Sequence, residues 1–512
     1  MTALTRREDI LRKFMLASAI TYFLVGLAFA LIPHQIFGAI NWLSLRIAPG
    51  FELIPPSVEK FWLALGFSLM MTIAALCFFA YRNIRENINL IVPLLISKAV
   101  TSLTSLVFFI VSARYFAYLV IFVVDGSIFW ITLVFFILGY RAYIAERISY
   151  ARRKAAMLKR TAEVAKVVVA KGDEKIAALD RVLEDTRFFE VLDQHYTKSR
   201  KSKADFLIAI KPNFMFAYHK KDITTYTDPE LVEHLIDRIA GQGFSNIAIV
   251  ESQSTYGNYY KNREVEKVAV YLGYSANKNY RIVDLTQERV SYDYGGRLGK
   301  HFVGPTWRDA DFRISFAKNK THVFCYYTLT LKNIYGTLPL QNKLKEYHTK
   351  REYDWPTIET LKDFPVHFGL IDAFYSADGT FGVIMDRKPN HTKTIIGGEN
   401  LIAVDWVGAR KMGLDPMVGR FLPLAVEAWG LPIIDCIGDE SEYHPWENAE
   451  VPVIEALDVI EEAYAFSDWA FSTLVFMDPF FPAKRQTVLV KFMKWILRPI
   501  KRTIYPRHIP VD

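Results

Sequence analysis

Four long apolar stretches occupy the first 140 residues, and nothing comparable follows them. They run over 14–32, 61–81, 88–112 and 115–139. Each is close to the ~20 residues that cross ~30 Å of hydrocarbon as a helix. A chain of this kind is expected to fold as an N-terminal four-helix transmembrane bundle (1–140) followed by a water-soluble part. Arg6 and Arg7 before the first stretch, with Ala28-Phe29-Ala30 near its end, resemble a signal peptide. Three further spans favour an uncleaved first helix instead.

Lys and Arg placement predicts orientation. Arg6, Arg7, Arg12 and Lys13 precede the first span. Arg82 and Arg85 lie between the second and third, and Arg141, Arg147, Arg152, Arg153 and Lys154 follow the fourth. The opposite loops carry little more than Arg46, Lys60 and Arg114. Both termini and the soluble part are therefore expected on the cytoplasmic side of an integral membrane protein. The net charge of +8 sits mainly beside the spans and near the end of the chain. That suits anionic membrane lipids better than nucleic acid. Cys77, Cys325 and Cys436 form no CxxC pair, so a cysteine-held iron–sulfur cluster is not expected.

Within the spans lie two charges, Lys98 and Asp125. A lone charge at a helix centre costs about 2.5–3.5 kcal/mol on insertion scales. The third and fourth spans are antiparallel neighbours, which puts the two side chains within roughly 6 Å of each other in depth at 1.5 Å rise per residue. An intramembrane pair is predicted. It is either a lock between helices or a proton, ion or lipid-headgroup site.

Residues 141–200 are expected to form a charged connector, helical over 141–185 because Ala, Glu, Lys and Arg dominate it. A solvated linker is the simpler form of it, and a short-seamed coiled coil the alternative. Residues 481–512 form a basic tail. Over 484–508 it carries eight Lys or Arg and no acid, mixed with Phe492, Met493, Trp495, Ile496 and Ile504. This composition predicts a basic amphipathic helix on a membrane surface, bent or ended at Pro499. Packing of the tail against the soluble domain is the alternative.

Between these lies a domain over 201–480. Short β-rich runs at 206–210, 246–250, 280–284, 312–316, 322–326, 368–374 and 393–396 alternate with helical patterns at 229–241, 265–272 and 401–412. Asp228-Pro229 supplies an N-cap and an N1 proline. The alternation predicts an α/β domain with a largely parallel sheet. Ligands of open α/β sheets bind beyond the carboxyl ends of strands. Lys211, Asn213, Glu251, Ser252 and Asp284 fall there.

The densest chemistry lies in 318–348. Lys320, His322 and Lys332 interrupt apolar runs, as site residues do. Asn333 and Gly336 occupy a turn-like stretch, and His348 follows. Lys343 and Lys345 read as solvated surface. Such a set suits an anionic ligand held by charge-assisted bonds. Gly397-Gly398 before a helix is expected to present backbone N–H groups to an anion, although a plain turn has the same pattern. Asp405, in an apolar helix, needs a partner if buried. His322, His348, Asp372 and Asp405 would together compose a divalent-metal set.

The same residues resemble a known family, the domain of unknown function numbered 362. The resemblance rests on Ile-Lys-Pro-Asn (210–213), Thr-Asp-Pro-Glu-Leu-Val (227–232), Lys-Thr-His (320–322) and Leu-Lys-Asn-Ile-Tyr-Gly (331–336). Lys343, His348, Ile-Asp-Ala (371–373), Gly-Gly-Glu-Asn-Leu-Ile-Ala-Val-Asp (397–405) and Lys-Met-Gly-Leu-Asp-Pro (411–416) extend it over roughly 206–430. It implies an α/β domain of cytoplasmic type and no settled activity. Some members look ferredoxin-linked through cysteine-rich modules, which this chain lacks. The Gly-rich run usual after the central acidic position is altered here to Ser-Ala-Asp-Gly-Thr-Phe-Gly (376–382).

Three functions are compatible with these features. The first is a membrane-anchored cytoplasmic domain that binds and acts on an anionic, lipid-linked or phosphorylated ligand. Lys211, Asn213, Glu251, Ser252, Lys320, Asn333, His348, Gly397 and Gly398 would bind it. His322, Lys332, Asp372 and Asp405 would carry the chemistry. The second is a non-catalytic sensor or scaffold, and the third a transport-linked protein that uses Lys98 and Asp125.

Overall fold

The computed structural model describes residues 6–55, 60–157, 159–275, 279–322, 325–348, 354–379, 390–448, 477–485 and 487–504. The chain divides into two compact units, Met1–Ile148 and Ser149–Asp512.

In the first unit four helices are long and apolar enough to cross a membrane: Glu8–Leu31, Lys60–Arg82, Ile88–Val111 and Phe116–Gly139. The last continues as one helix, Phe116–Met157. A further helix, Pro33–Ile47, follows the first span and starts on its proline. The first two spans touch closely at Gly26, where a Cβ would lie 2.9 Å from Met70 Cβ. The third and fourth meet at Gly126, where a Cβ would lie 3.1 Å from Ser102 Oγ. Ser102 Oγ donates to Phe122 O across the same contact at 2.9 Å. Small residues at these positions allow the backbones to approach.

Lys98 Nζ lies 3.2 Å from Asp125 Oδ1 and 4.9 Å from the centroid of the Tyr22 ring. Both charges are sheltered from the surface, with side-chain exposures of 7% and 14%. Removing either partner strands the other. Lys98→Met and Asp125→Leu should each cost about 3 kcal/mol, and the double variant should cost at least about 1 kcal/mol less than their sum. Strict additivity of the two losses in detergent would overturn the pairing.

The second unit is built on a nine-stranded sheet. Its strands are β1 (Arg160–Lys171), β2 (Ile208–Pro212), β3 (Ile247–Glu251), β4 (Arg281–Asp284), β7 (Phe312–His322), β8 (Tyr326–Thr328), β9 (Phe368–Ala377), β10 (Thr394–Gly398) and β11 (Leu431–Gly438). The short strands β5 (Val290–Asp293) and β6 (Lys300–Val303) pair separately and antiparallel. The order across the main sheet is β11-β1-β10-β9-β7-β2-β3-β4, with β8 paired to β7. Strands β9, β7, β2, β3 and β4 are mutually parallel, and β1 is parallel to β11. Only β10 and β8 run against their neighbours. The unit is α/β with a mostly parallel mixed sheet.

Both faces of the sheet are covered. Ile208 and Ile210 point into one apolar core, with Leu231, Leu235 and Val268 of helices Pro229–Gly241 and Val265–Leu272. Leu207 and Ala209 point into another, with Leu331, Ile358 and Leu422. Near-continuous apolar strands follow from this double burial.

Two expected elements differ. The connector is not helical through 141–185: Arg160–Lys171 is β1, inside the sheet, and a helix resumes only at Lys175–Asp185. The Val-Ala-Lys-Val-Val-Val run favours a strand because branched side chains pack well on a pleated surface. Its partners β10 and β11 lie far along the chain. Residues 323–324 of the expected strand 322–326 lie outside the described residues; β7 runs to His322 and β8 begins at Tyr326. The tail forms the helix Val488–Ile504, which continues through Pro499 rather than ending there.

Candidate functional site

The carboxyl ends of β2 and β3 and the second half of β7 bring polar side chains into the interior. Lys211 is fully buried at the end of β2. Its Nζ donates to Glu251 Oε2 at 2.7 Å, Pro212 O at 2.7 Å and Asn333 Oδ1 at 3.1 Å. Three acceptors match the three protons of an ammonium. The Asn333 amide in turn donates to Lys211 O at 2.6 Å and to Ser315 Oγ at 3.1 Å. Glycine is needed at 336, where a Cβ would collide with the Glu251 carboxylate and lie 2.6 Å from Lys211 Nζ. Burial pushes the Glu251 carboxyl up and the Lys211 amine down, each opposed by the partner's charge.

Ser252 and Lys343 extend the network. Ser252 Oγ donates to Leu338 O at 2.8 Å and accepts from Lys343 Nζ at 2.5 Å. Lys343 Nζ also donates to Gln253 O at 2.7 Å. Lys343 is buried, contrary to its expected place on the solvated surface, because the segment after Gln341 folds back over the end of β3. Burial lowers its amine to about 7, with Glu251 opposing.

On β7, Lys318 Nζ pairs with Asp372 Oδ2 at 2.8 Å. Asp372 also accepts from Asp228 N at 2.9 Å and Phe374 N at 3.1 Å. Asp228 caps the helix Pro229–Gly241 and binds Lys175 at 2.5 Å. Lys320 is buried, and its Nζ donates to Asn213 Oδ1 at 2.7 Å and Thr225 O at 2.9 Å. Both acceptors are neutral. Burial, together with the charges of Lys332 and Lys318, holds this amine well below the ordinary lysine range. Lys332 Nζ lies 4.6 Å from the Tyr335 ring centroid, and its charge depresses Lys211, Lys320 and Lys343 alike. Five lysines (211, 318, 320, 332 and 343) thus share one neighbourhood, in which two carboxylates, Glu251 and Asp372, are hydrogen-bonded to them.

Not every expected residue joins this cluster. Gly397 and Gly398 lie at the end of β10, which runs against β9, and so at the opposite ends of the strands from this cluster. Packing explains them: a Cβ at Gly397 would sit 2.6 Å from Val182 Cγ1, and one at Gly398 2.6 Å from Lys166 O. The helix that follows, Leu401–Lys411, is already capped, since Asn400 Oδ1 accepts from Ile402 N and Ala403 N at 3.0 and 3.2 Å. The expected anion loop is therefore a packing element.

Asp405 is buried and accepts from Thr330 N at 2.7 Å, Thr330 Oγ1 at 2.5 Å and Leu331 N at 3.1 Å. It holds the start of the short helix Thr330–Ile334, which carries Lys332 and Asn333. Burial raises its carboxyl to about 7. Its role is positioning. His322 ends β7, paired with Tyr326. His348 closes the turn Leu344–His348; its side chain, like residues 380–382 of the altered Gly-rich run, is outside the described residues. The metal set His322, His348, Asp372 and Asp405 is not assembled: Asp372 is committed to Lys318, and Asp405 to Thr330 and Leu331. Among the described residues no group of three or more His, Cys, Asp or Glu side chains could hold a metal ion.

Lys318 and Lys343 were not among the residues expected to form the site. Lys318 carried a usable signal, since it precedes Lys320 by two positions and so shares its face of the strand.

Comparison with known proteins adds the family. No curated protein matches the chain. Among solved structures, the lactate racemase apoprotein from Thermoanaerobacterium thermosaccharolyticum aligns with 12% identity and a TM-score of 0.30. The alignment covers 49% of this chain and 57% of that one, too distant a likeness to carry a functional argument. Residues 208–410 match the family described as Domain of unknown function (DUF362), and that stretch spans β2 to the helix bearing Asp405. Within the α/β unit, residues 208–410 are thus similar to the DUF362 family.

Proposed function

We propose that the chain is a membrane-anchored protein whose α/β unit lies on the cytoplasmic side and binds an anionic ligand at the lysine cluster. One observation carries this: the buried Lys320 amine is hydrogen-bonded to two neutral acceptors, Asn213 Oδ1 and Thr225 O, within the field of Lys332, Lys318 and Lys211. Buried charge without a counter-charge is costly, and the excess is relieved by an anion or by loss of protons. The depressed amines of Lys320 and Lys343 fit the second state in the absence of ligand. A phosphate or carboxylate would restore their protons. A neutral amine beside a bound anion can also accept a proton from it, which is the chemical step these residues can contribute. The arginines after the fourth span support the cytoplasmic placement.

Native mass spectrometry of the purified chain tests this, with Lys332→Ala as the control. A co-purifying anionic species that is lost from the variant is expected. Equal retention by both proteins would overturn the assignment.

Proton linkage gives a second test. Because the anion favours charged amines, it raises their proton affinity, so binding takes up protons and tightens as pH falls. With Lys343 titrating at about 7, calorimetric titration with inorganic phosphate at pH 8 should show uptake of at least roughly one proton, compared between buffers of different ionisation enthalpy. Proton release, or affinity that rises with pH, would contradict the reading.

A further inference from the structure

The helix Val488–Ile504 presents an apolar row that the α/β unit does not cover. Val488, Phe492, Trp495 and Ile496 are 86%, 53%, 69% and 43% exposed. Their spacing of four, three and one residues puts them on one face of a helix. Lys491 and Arg498, seven residues apart, are exposed along one flank of that row. The opposite side, with Val490, Met493 and Lys494, is half-buried, and Lys494 Nζ lies 5.8 Å from the Tyr260 ring centroid.

The root of the helix is fixed to the same unit. Lys261 N donates to Pro482 O at 2.9 Å, and Lys484 N to Tyr259 O at 2.7 Å. Tyr260 and Ala483 form an antiparallel bridge. The half-buried side, with Lys494 over Tyr260, is the one turned to the unit, which leaves the apolar row outward.

We infer that this face docks on an anionic lipid surface, its apolar row entering the outer acyl layer while Lys491 and Arg498 meet the headgroups. Three observations select lipid over a protein partner. The helix contains no acidic residue, whereas exposed basic side chains flank an exposed Trp and Phe. This is the make-up of helices lying in a membrane interface. The chain also carries four helices able to span a bilayer, so a membrane is always within reach. The inference does not depend on the anion site, which lies elsewhere in the unit.

The test uses the full chain, with Cys436→Ser and a nitroxide on Ile496→Cys, reconstituted in bilayers of phosphatidylcholine alone or with three-tenths phosphatidylserine. Accessibility to oxygen and to a water-soluble nickel chelate is read by power saturation, with a label on Arg485→Cys at the helix root as the reference. In the serine-lipid bilayer the Ile496 label should gain oxygen contact and lose chelate contact, while the Arg485 label should not. Adding Lys491→Glu and Arg498→Glu should reverse this and lower the docked-to-undocked ratio by at least about 30-fold, as losing two interfacial positive charges alone would. A label that stays chelate-accessible in both bilayers would overturn the inference. So would docking unchanged by the two charge reversals, or spin–spin broadening that reports a second copy on this face.

Discussion

Glu251→Ala is expected to destabilise the α/β unit by about 3–5 kcal/mol, the largest single effect in the site. Lys211 is completely buried, and Glu251 is its one charged partner. Alanine leaves an ammonium in the interior with only amide and carbonyl oxygens. It also removes one of the two acceptors of Ser252 N, leaving Gly336 O. Gly336 packs against both charged groups, so there is little room for water to replace the lost carboxylate. The loss should appear as faster hydrogen exchange over β2 and β3, read by mass spectrometry on the full chain in detergent, because these adjacent strands carry the pair. A companion variant separates pairing from packing. Lys211→Met with Glu251→Met removes both charges at similar volume and should recover most of the loss, since desolvating two ions offsets much of their attraction. Exchange that is unchanged in Glu251→Ala, or a double variant worse than the single, would show that the pair does not organise this edge of the sheet.

How far the site could be read in advance depends on whether its geometry is local. Lys211, Asn213, Glu251 and Ser252 were readable because each follows a short apolar run, and polar residues there fall at the carboxyl end of a strand. Lys320 and Lys332 were readable because they interrupt apolar stretches. Lys343 was not, since its neighbours Gln341, Asn342 and Lys345 are polar, and its burial comes from a chain reversal onto Ser252 that leaves no local pattern. Gly397-Gly398 misled for the converse reason. A glycine pair before a helix looks the same whether it cradles an anion or lets Val182 and Leu370 close on a strand. The strand β1 was lost to composition: its alanines and charges suit a helix, and only the distant β10 and β11 make the valines decisive. The apolar spans were the most legible part, because the membrane requirement acts on one segment at a time.

Lys320→Met should behave in the opposite way to Glu251→Ala. Here the amine is buried against neutral acceptors and within reach of the charges of Lys332, Lys318 and Lys211. Its loss removes a group the ligand-free fold holds at a cost, and methionine keeps the volume. Stability of the ligand-free protein should change by no more than about 1 kcal/mol, because the lost bonds to Asn213 and Thr225 are offset by relief of burial. Anion retention, by contrast, should fall about 100-fold or more, the loss of one buried charge-assisted contact at about 1.4 kcal/mol per factor of ten. The pH response should change in the same direction. Lys320 and Lys343 both bind their protons less tightly when folded, so the ligand-free protein gains stability as pH rises from about 7, where Lys343 titrates, towards the free lysine value near 10.4. Lys320→Met should flatten that rise, and a saturating anion should flatten it in the unaltered protein. A variant that loses stability yet keeps its anion would make Lys320 a structural residue. A variant that loses the anion while its ligand-free stability holds would make it the residue that senses ligand charge.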